Sequence, residues 1–196
     1  MRLVTAVEVA ADHELIRLSA ADPEVFGQIF DRHASTIHRY LARRVGRTLA
    51  DDLTAETFLI AFRGRDKYDM SHINCRPWLY GIAANLLRGH QRAEIRQYRA
   101  LARTGIDPAY SDGAFDASEN RVIAAGQVRD LAALLAKLPA GERDVLTLVS
   151  QAQLSYPEVA RALDIPVGTV RSRLHSARKR IRKAFPDLAP EGSDHE

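Results

Sequence analysis

The segment from Ser155 to Lys183 constrains the fold of this chain more than any other part of the sequence. Ser155 is followed three residues later by Glu158, the capping-box pattern of a helix start, and a short helical pattern then runs to Leu163. Residues 164–166 (Asp-Ile-Pro) interrupt that pattern before a longer helix begins. The spacing therefore predicts a helix-turn-helix motif.

The second helix of this motif has the charge expected of a helix that binds a polyanion. Residues 167–183 contain seven Lys or Arg and no Asp or Glu. Residues 128–183 hold eleven basic and five acidic residues, a net +6, whereas the whole chain carries only +3. A merely solvated basic face is the alternative, but the preceding turn favours insertion into a DNA major groove. The candidate DNA-binding residues are Thr169, Arg171, Ser172, Arg173, His175, Arg178 and Lys179.

The rest of the chain also has apolar residues at helical spacing. Residues 23–45 predict one amphipathic helix. Thr48, with an acid three residues later, predicts the cap of a second helix that Gly64 ends, and Pro77 fits the first turn of a third that continues to Arg92. No strand-like alternation of useful length occurs, so the sequence predicts an all-α fold.

Composition divides the chain into two parts. Within residues 97–127 the apolar pattern thins out into a stretch typical of a flexible linker, with Gly105, Pro108, Ser111, Asp112, Gly113 and Ser118. We therefore predict a first helical domain over 12–96 and a second, four-helix domain over 128–184. Residues 185–196 contain acids but no Lys or Arg and are predicted to form an acidic tail.

Several classes of protein are disfavoured by what the sequence contains. Its longest apolar runs are only a few residues, so we expect neither a membrane span nor a signal peptide and predict a cytoplasmic protein. No catalytic triad order, phosphate loop or nucleotide fingerprint stands out, so neither an enzyme nor a bound cofactor is expected. The single cysteine, Cys75, excludes an internal disulfide. No metal site is predicted, because the spacings of the histidines form no compact ligand set with acids or Cys75; those considered are His33, His38, His72 and His90.

Four motifs together carry a family resemblance. The first half contains Asp-Asp-Leu-Thr-Ala-Glu-Thr-Phe at 51–58 and Pro-Trp-Leu-Tyr-Gly-Ile-Ala-Ala-Asn at 77–85. The second contains Leu-Ser-Tyr-Pro-Glu-Val-Ala at 154–160 and Gly-Thr-Val-Arg-Ser-Arg-Leu at 168–174. With these motifs the chain resembles the extracytoplasmic-function group of sigma-70 family transcription factors, which keep only the domains called sigma-2 and sigma-4. The resemblance covers both predicted domains.

The resemblance implies a role for each domain. The first would dock on the clamp helices of the largest subunit of core RNA polymerase, through Asp51, Asp52, Leu53, Glu56 and Phe58. It would also open the minus-ten element of promoter DNA and hold an extruded base, through His72, Asn74, Arg76, Trp78, Asn85, Arg88 and Arg92. Among these, Trp78 has apolar neighbours that favour a core position over base stacking.

By the same resemblance, the second domain would recognise the minus-35 duplex and contact the polymerase beta flap, and an anti-sigma factor is an expected partner. Asp164 stands where the family turn often has glycine, and Asp enters the left-handed conformation more readily than most residues. The alternative function is a stand-alone helix-turn-helix regulator that uses residues 1–96 as a sensor or dimerisation domain. That alternative predicts tight duplex binding without polymerase.

Overall fold

The computed structural model describes residues 10–104 and 119–185, and within these two stretches the chain is helical, with no strand. The all-α prediction is confirmed. The helices are α1 (Asp12–Leu18), α2 (Gly27–Val45), α3 (Arg47–Arg63), α4 (Arg76–Gly89), α5 (Gln91–Thr104), α6 (Glu119–Lys137), α7 (Ala140–Ser150), α8 (Tyr156–Leu163) and α9 (Val167–Ala184), with 3₁₀ helices at Pro23–Phe26 and Arg65–Lys67. Apart from Phe185, the predicted acidic tail lies outside the described residues.

Helices α2 and α3 follow each other with a single residue between them. Gly46 ends α2 and precedes α3 with φ of 84°, a conformation that residues with a Cβ rarely adopt. Because α3 already begins at Arg47, Thr48 lies inside the helix and the predicted side-chain cap at Thr48 is wrong. Gly64 ends α3 as predicted.

The helix predicted to run from Trp78 to Arg92 is interrupted. It ends at Gly89, and His90 has φ of −111° and ψ of 21° before α5 starts. Arg92 therefore lies on α5, and the prediction of one continuous helix carrying Asn85, Arg88 and Arg92 is wrong. Gly89 is the residue in the sequence that could have signalled the break.

The second domain contains the four predicted helices, α6 to α9. Helix also occupies both ends of the predicted linker 97–127, because α5 continues to Thr104 and α6 begins at Glu119. The apolar side chains of α5 explain this extension, since Tyr98 and Leu101 pack in one buried cluster with Leu135 and Leu138.

The two halves of the chain share a hydrophobic core. Buried residues of α2, α3 and α4 belong to the same cluster as Val145 and Leu148 of α7 and Val159 of α8. Helices α4 and α8 approach so closely that a Cβ added to Gly81 would lie 2.5 Å from the carbonyl oxygen of Ala162. The structure is therefore a closed arrangement, in which the second domain packs on the first.

A buried cluster of charges also joins the two domains; we call it the interdomain ion cluster. The Arg44 guanidinium donates to Glu94 Oε1 and to Asp144 Oδ1, each at 2.5 Å, and Arg143 donates to Glu94 Oε2 at 3.0 Å. Each domain supplies one cation and one anion, and at most 7% of any of these side chains is exposed. Burial opposes the charge on Arg44, but the surrounding oxygens, including those of Tyr40, hold its pKa well above the ordinary value.

Candidate nucleic-acid and polymerase interfaces

The start of α8 and the turn before α9 have the geometry that the sequence predicts. The Ser155 backbone N–H and hydroxyl both donate to Glu158 Oε2, at 2.8 and 2.7 Å. Burial works against ionisation of Glu158, yet these hydrogen bonds lower its pKa. Asp164 ends α8 in the left-handed conformation, with φ of 52°, and the Ile165 N–H donates to the carbonyl oxygen of Ala160. The helix-turn-helix prediction is confirmed.

Helix α9 presents most of its predicted DNA-binding residues to solvent. Val170, Leu174 and Ala177 are buried and anchor its inner face. Five of the predicted residues are exposed on the outer side, namely Arg171, Ser172, His175, Arg178 and Lys179. Thr169 is half-buried at the start of the helix, where its carbonyl oxygen accepts a hydrogen bond from the Ser172 hydroxyl.

Two basic side chains of α9 are engaged within the domain. The guanidinium of Arg173 lies about 3.0 Å from where a Cβ on Gly141 would be, so this half-buried residue packs on the start of α7. Arg180 donates to Glu142 Oε2 at 3.1 Å. Arg173 is thus the predicted minus-35 residue that the structure turns partly away from the exposed face.

In the first domain, the predicted minus-ten residues fall into two groups. Trp78 packs against the hydrophobic core, with the centre of its ring 5.0 Å from that of Tyr68. Its apolar neighbours in the sequence had favoured this core position. Just before α4, the Asn74 side-chain oxygen accepts a hydrogen bond from the Arg76 N–H. The exposed residues are Asn74, Asn85, Arg88 and Arg92.

The second domain covers part of this predicted minus-ten surface. Arg76 donates to the carbonyl oxygen of Ala152 at 2.5 Å. Arg161 of α8 lies 3.4 Å from Nδ1 of His72, whose carbonyl oxygen accepts from the Tyr68 hydroxyl. In the closed arrangement, therefore, His72 and Arg76 contact the other domain of the chain.

The predicted polymerase-binding residues of α3 do not share one exposed surface. Asp51, Asp52 and Glu56 are exposed, but Leu53 and Phe58 are only 1% and 5% exposed and belong to the core. The expectation that these two apolar side chains flank the acids on the surface is wrong. Apolar residues occur on every side of α3, so periodicity alone did not distinguish its buried face.

Three other apolar side chains lie at that surface and were missed. Leu59 and Ile60 of α3 are 46% and 40% exposed, and Phe30 of α2 is 44% exposed and stacks edge-on against Phe58 at 4.9 Å. Leu59 stands three residues after Glu56, on the same side of the helix. Together with the acids they form a mixed acidic and apolar surface, which we call the α3 surface.

His33 does come together with an acid and Cys75, contrary to the spacing argument. Ligand atoms of Asp12, His33 and Cys75 lie within 4.8 Å of one another. Asp12 Oδ2 is 2.9 Å from His33 Nε2 and 3.1 Å from the Cys75 N–H, and Arg32 approaches Oδ1 at 3.4 Å. Burial raises the pKa of the Cys75 thiol and keeps it protonated. This hydrogen-bond pattern joins α1, α2 and the start of α4.

The fold and these surfaces define a two-domain helical protein with a helix-turn-helix in its second domain. Family models for Sigma-70 region 2 and Sigma-70 region 4 match residues 29–97 and 129–181. The chain therefore belongs to the sigma-70 family, in its extracytoplasmic-function group. Within the described residues, no helix has the length and apolar character needed to cross a bilayer.

Curated relatives match nearly the whole chain. The extracytoplasmic-function sigma factor SigW of Bacillus subtilis is 29% identical over 93% of this chain and 100% of its own length. The sigma-E factor of Haemophilus influenzae is 27% identical over 92% of this chain and 98% of its own. CnrH of Cupriavidus metallidurans is 29% identical over 83% of this chain and 87% of its own.

Solved structures show the same fold. CnrH in complex with the cytosolic domain of CnrY matches with a TM-score of 0.61 at 25% identity, covering 91% of this chain and 99% of that one. The sigma factor RpoE of Bartonella quintana, bound to the anti-sigma factor NepR, has a TM-score of 0.58 at 21% identity, over 84% and 98% of the two chains.

Proposed function

We propose that this protein binds core RNA polymerase and directs transcription initiation by recognising two promoter elements, the minus-35 duplex with α9 and melted minus-ten DNA with the first domain. The observation that carries the proposal is the outer face of α9. It follows a well-capped helix-turn-helix, contains no acid, and presents Arg171, Ser172 and His175 to solvent. Such a helix suits the major groove, where arginine pairs with guanine edges.

The first domain would supply the other two surfaces. Asn85 and Arg88 of α4 and Arg92 at the start of α5 are exposed and suited to contact a single strand and its phosphates. Polymerase would bind the α3 surface, where Asp52 and Glu56 lie beside the exposed Leu59. Apolar groups next to acids combine desolvation with electrostatic steering toward a basic partner.

Promoter recognition of this kind requires the closed arrangement to open. The contacts of Arg76 with Ala152 and of His72 with Arg161 use side chains that would otherwise meet minus-ten DNA. We propose that binding to polymerase supplies the free energy that separates the two domains. An anti-sigma protein is the opposing partner we propose, since CnrH was solved with the cytosolic domain of CnrY bound.

In vitro transcription tests the proposal. Purified core polymerase and a fragmented genomic template are incubated with and without this protein, and transcript starts are mapped. We expect new starts that share two upstream sequence motifs. No new starts, together with tight duplex binding in the absence of polymerase, would instead establish a stand-alone regulator.

A matched pair of variants then tests α9. Arg171→Ala with Ser172→Ala should abolish the new starts while leaving binding to core polymerase unchanged, because both side chains point to solvent. Arg17→Ala, at an exposed position of α1, is the control and should leave the starts intact. Normal transcription from the α9 variant would refute the assignment of minus-35 recognition to this face.

A further inference from the structure

Three side chains with metal-binding atoms meet where α1, α2 and the start of α4 come together. Asp12 begins α1, His33 lies on α2 and Cys75 directly precedes α4. One ligand atom from each lies within 4.8 Å of the other two. We call these side chains the Asp-His-Cys cluster. Asp12 and Cys75 are 63 residues apart in sequence, so spacing could not reveal the set.

The separations in the cluster suit a tetrahedral zinc ion. Zinc binds carboxylate oxygen and imidazole nitrogen at about 2.0–2.2 Å and thiolate sulfur at about 2.3 Å, so two of its ligand atoms lie about 3.3–3.6 Å apart. The 2.9 Å between Asp12 Oδ2 and His33 Nε2 has to widen by about 0.4 Å. A thiolate with an imidazole favours zinc over the hard cations magnesium and calcium.

The charges of the cluster match a divalent cation. Although burial opposes ionisation of Asp12, hydrogen bonds from His33 and Cys75 hold its pKa well below the ordinary value, so it carries a negative charge. A metal ion replaces the thiol proton of Cys75, which leaves to solvent as H⁺. His33 binds through Nε2 as the neutral imidazole, with its proton on Nδ1. Carboxylate and thiolate together then balance the charge of Zn²⁺.

The surroundings hold the cluster in a dry and ordered position. Cys75 is fully buried in the hydrophobic core, and the side chains of Asp12 and His33 are only 11% and 12% exposed. Arg32 approaches Asp12 Oδ1 at 3.4 Å, while Oδ2 faces His33 and the Cys75 N–H. An outer partner of this kind orients a carboxylate that binds a metal.

We propose that Asp12, His33 and Cys75 bind a zinc ion, with a water molecule as the fourth ligand. The site goes beyond the proposed function, because none of the three residues is assigned to DNA or polymerase. The ion would cross-link α1, α2 and the start of α4. Since Cys75 stands between Asn74 and Arg76, it would also fix the end of the segment assigned to minus-ten DNA.

Cobalt absorption tests the site in the full chain, reduced and freed of metal by a chelator. Co²⁺ is added to the folded protein and, because Cys75 is buried, also during refolding from urea. Cys75 is the single cysteine, so a thiolate-to-cobalt charge-transfer band in the near ultraviolet reports this site alone. We expect the band to saturate at one Co²⁺ per chain and to disappear on addition of Zn²⁺, which binds such sites more tightly.

Two matched histidine variants test the ligand set, with zinc affinity measured by competition with a chromophoric chelator. His33→Gln should lower the affinity at least about 100-fold, since loss of an outer partner alone costs about 10–100-fold. His38→Gln is the control and should keep the affinity. His38 also pairs with a carboxylate, Asp51 at 2.8 Å, but among the described residues that pair has no third ligand atom in range.

Thermal unfolding supplies a second readout. At a free zinc concentration 100 times Kd, binding should raise the Tm of the wild type by about 5–10 °C. Cys75→Ala, with folding checked by circular dichroism, should show no such rise. Absence of the charge-transfer band under both protocols would leave a purely hydrogen-bonded cluster and overturn the proposal. Undiminished affinity in His33→Gln or Asp12→Asn would also overturn it, because the thiol would then bind metal without its partners.

Discussion

At the scale of single residues, the turn before α9 depends on one unusual backbone conformation. Asp164 has φ of 52°, where a side chain with a Cβ is strained, and glycine is not. This residue sets the direction in which α9 leaves α8. The sequence analysis expected Asp164 to tolerate this turn, because Asp is one of the few residues that adopt the left-handed conformation readily.

Asp164→Gly should therefore raise the free energy of unfolding, by up to about 1 kcal/mol, whereas Asp164→Val should lower it by about 1–2 kcal/mol. Urea denaturation followed by circular dichroism measures both changes. Equal stability of the two variants would contradict the strain argument.

Asp12 makes stability depend on pH. Burial raises its pKa, but hydrogen bonds from His33 and Cys75 outweigh this and hold the pKa well below the ordinary value. A depressed carboxyl pKa stabilises the fold fully above the unfolded-state value, about 4, and this contribution is lost as pH falls below it. Asp12→Asn should cost about 2 kcal/mol at pH 7 and less at pH 3.

Chemical denaturation at the two pH values measures this difference. The control, Asp31→Asn, changes an exposed carboxyl of α2 and should have little effect at either pH. A loss for Asp12→Asn that is the same at pH 3 as at pH 7 would show that the carboxylate charge contributes nothing.

At the scale of helices, the crossing of α4 and α8 depends on a missing side chain. Gly81→Ala would place its Cβ against the backbone of Ala162, which cannot move without shifting α8. We expect a loss of about 1–3 kcal/mol from this overpacking.

Gly126→Ala provides the matched control, because nothing lies within 4 Å of a Cβ at that position of α6. It should stabilise the helix by up to about 1 kcal/mol. Thermal unfolding measures the stability of both variants. A Gly81→Ala protein as stable as the wild type would refute the close approach of α4 and α8.

Periodicity predicted helices well and their faces less well. The helix-turn-helix followed from local signals, a capping box and a turn, which act over a few residues. Helix α3 has apolar side chains all round, so helical spacing did not show that Phe58 is buried while Leu59 and Ile60 are exposed. The interdomain ion cluster could not be predicted at all, because Arg44 and Asp144 are 100 residues apart in sequence.

At the scale of the whole molecule, the interdomain ion cluster and the contact of α4 with α8 keep the chain closed. Charges buried together are stabilising only while every partner is present, since a single unpaired buried charge costs about 3–5 kcal/mol. Removing one carboxylate therefore weakens the docking of the domains.

Asp144→Asn should open the chain and increase its radius of gyration in small-angle X-ray scattering, with helix content unchanged. Asp130→Asn, an exposed position of α6, is the control. Because the cluster is buried and hence poorly screened, 0.3 M salt should not open the wild type. An Asp144→Asn protein as compact as the wild type would show that apolar packing alone holds the domains together.

Because Cys75 is buried, its reaction with a thiol reagent can report local opening of the fold. It is the chain's single cysteine and is fully buried against Asp12, so a thiol reagent can reach it only when α1 or the start of α4 moves away. Every labelled molecule therefore records the same local opening event. The labelling rate, compared with that of a free thiol, reports the equilibrium constant for this local opening without any engineered probe.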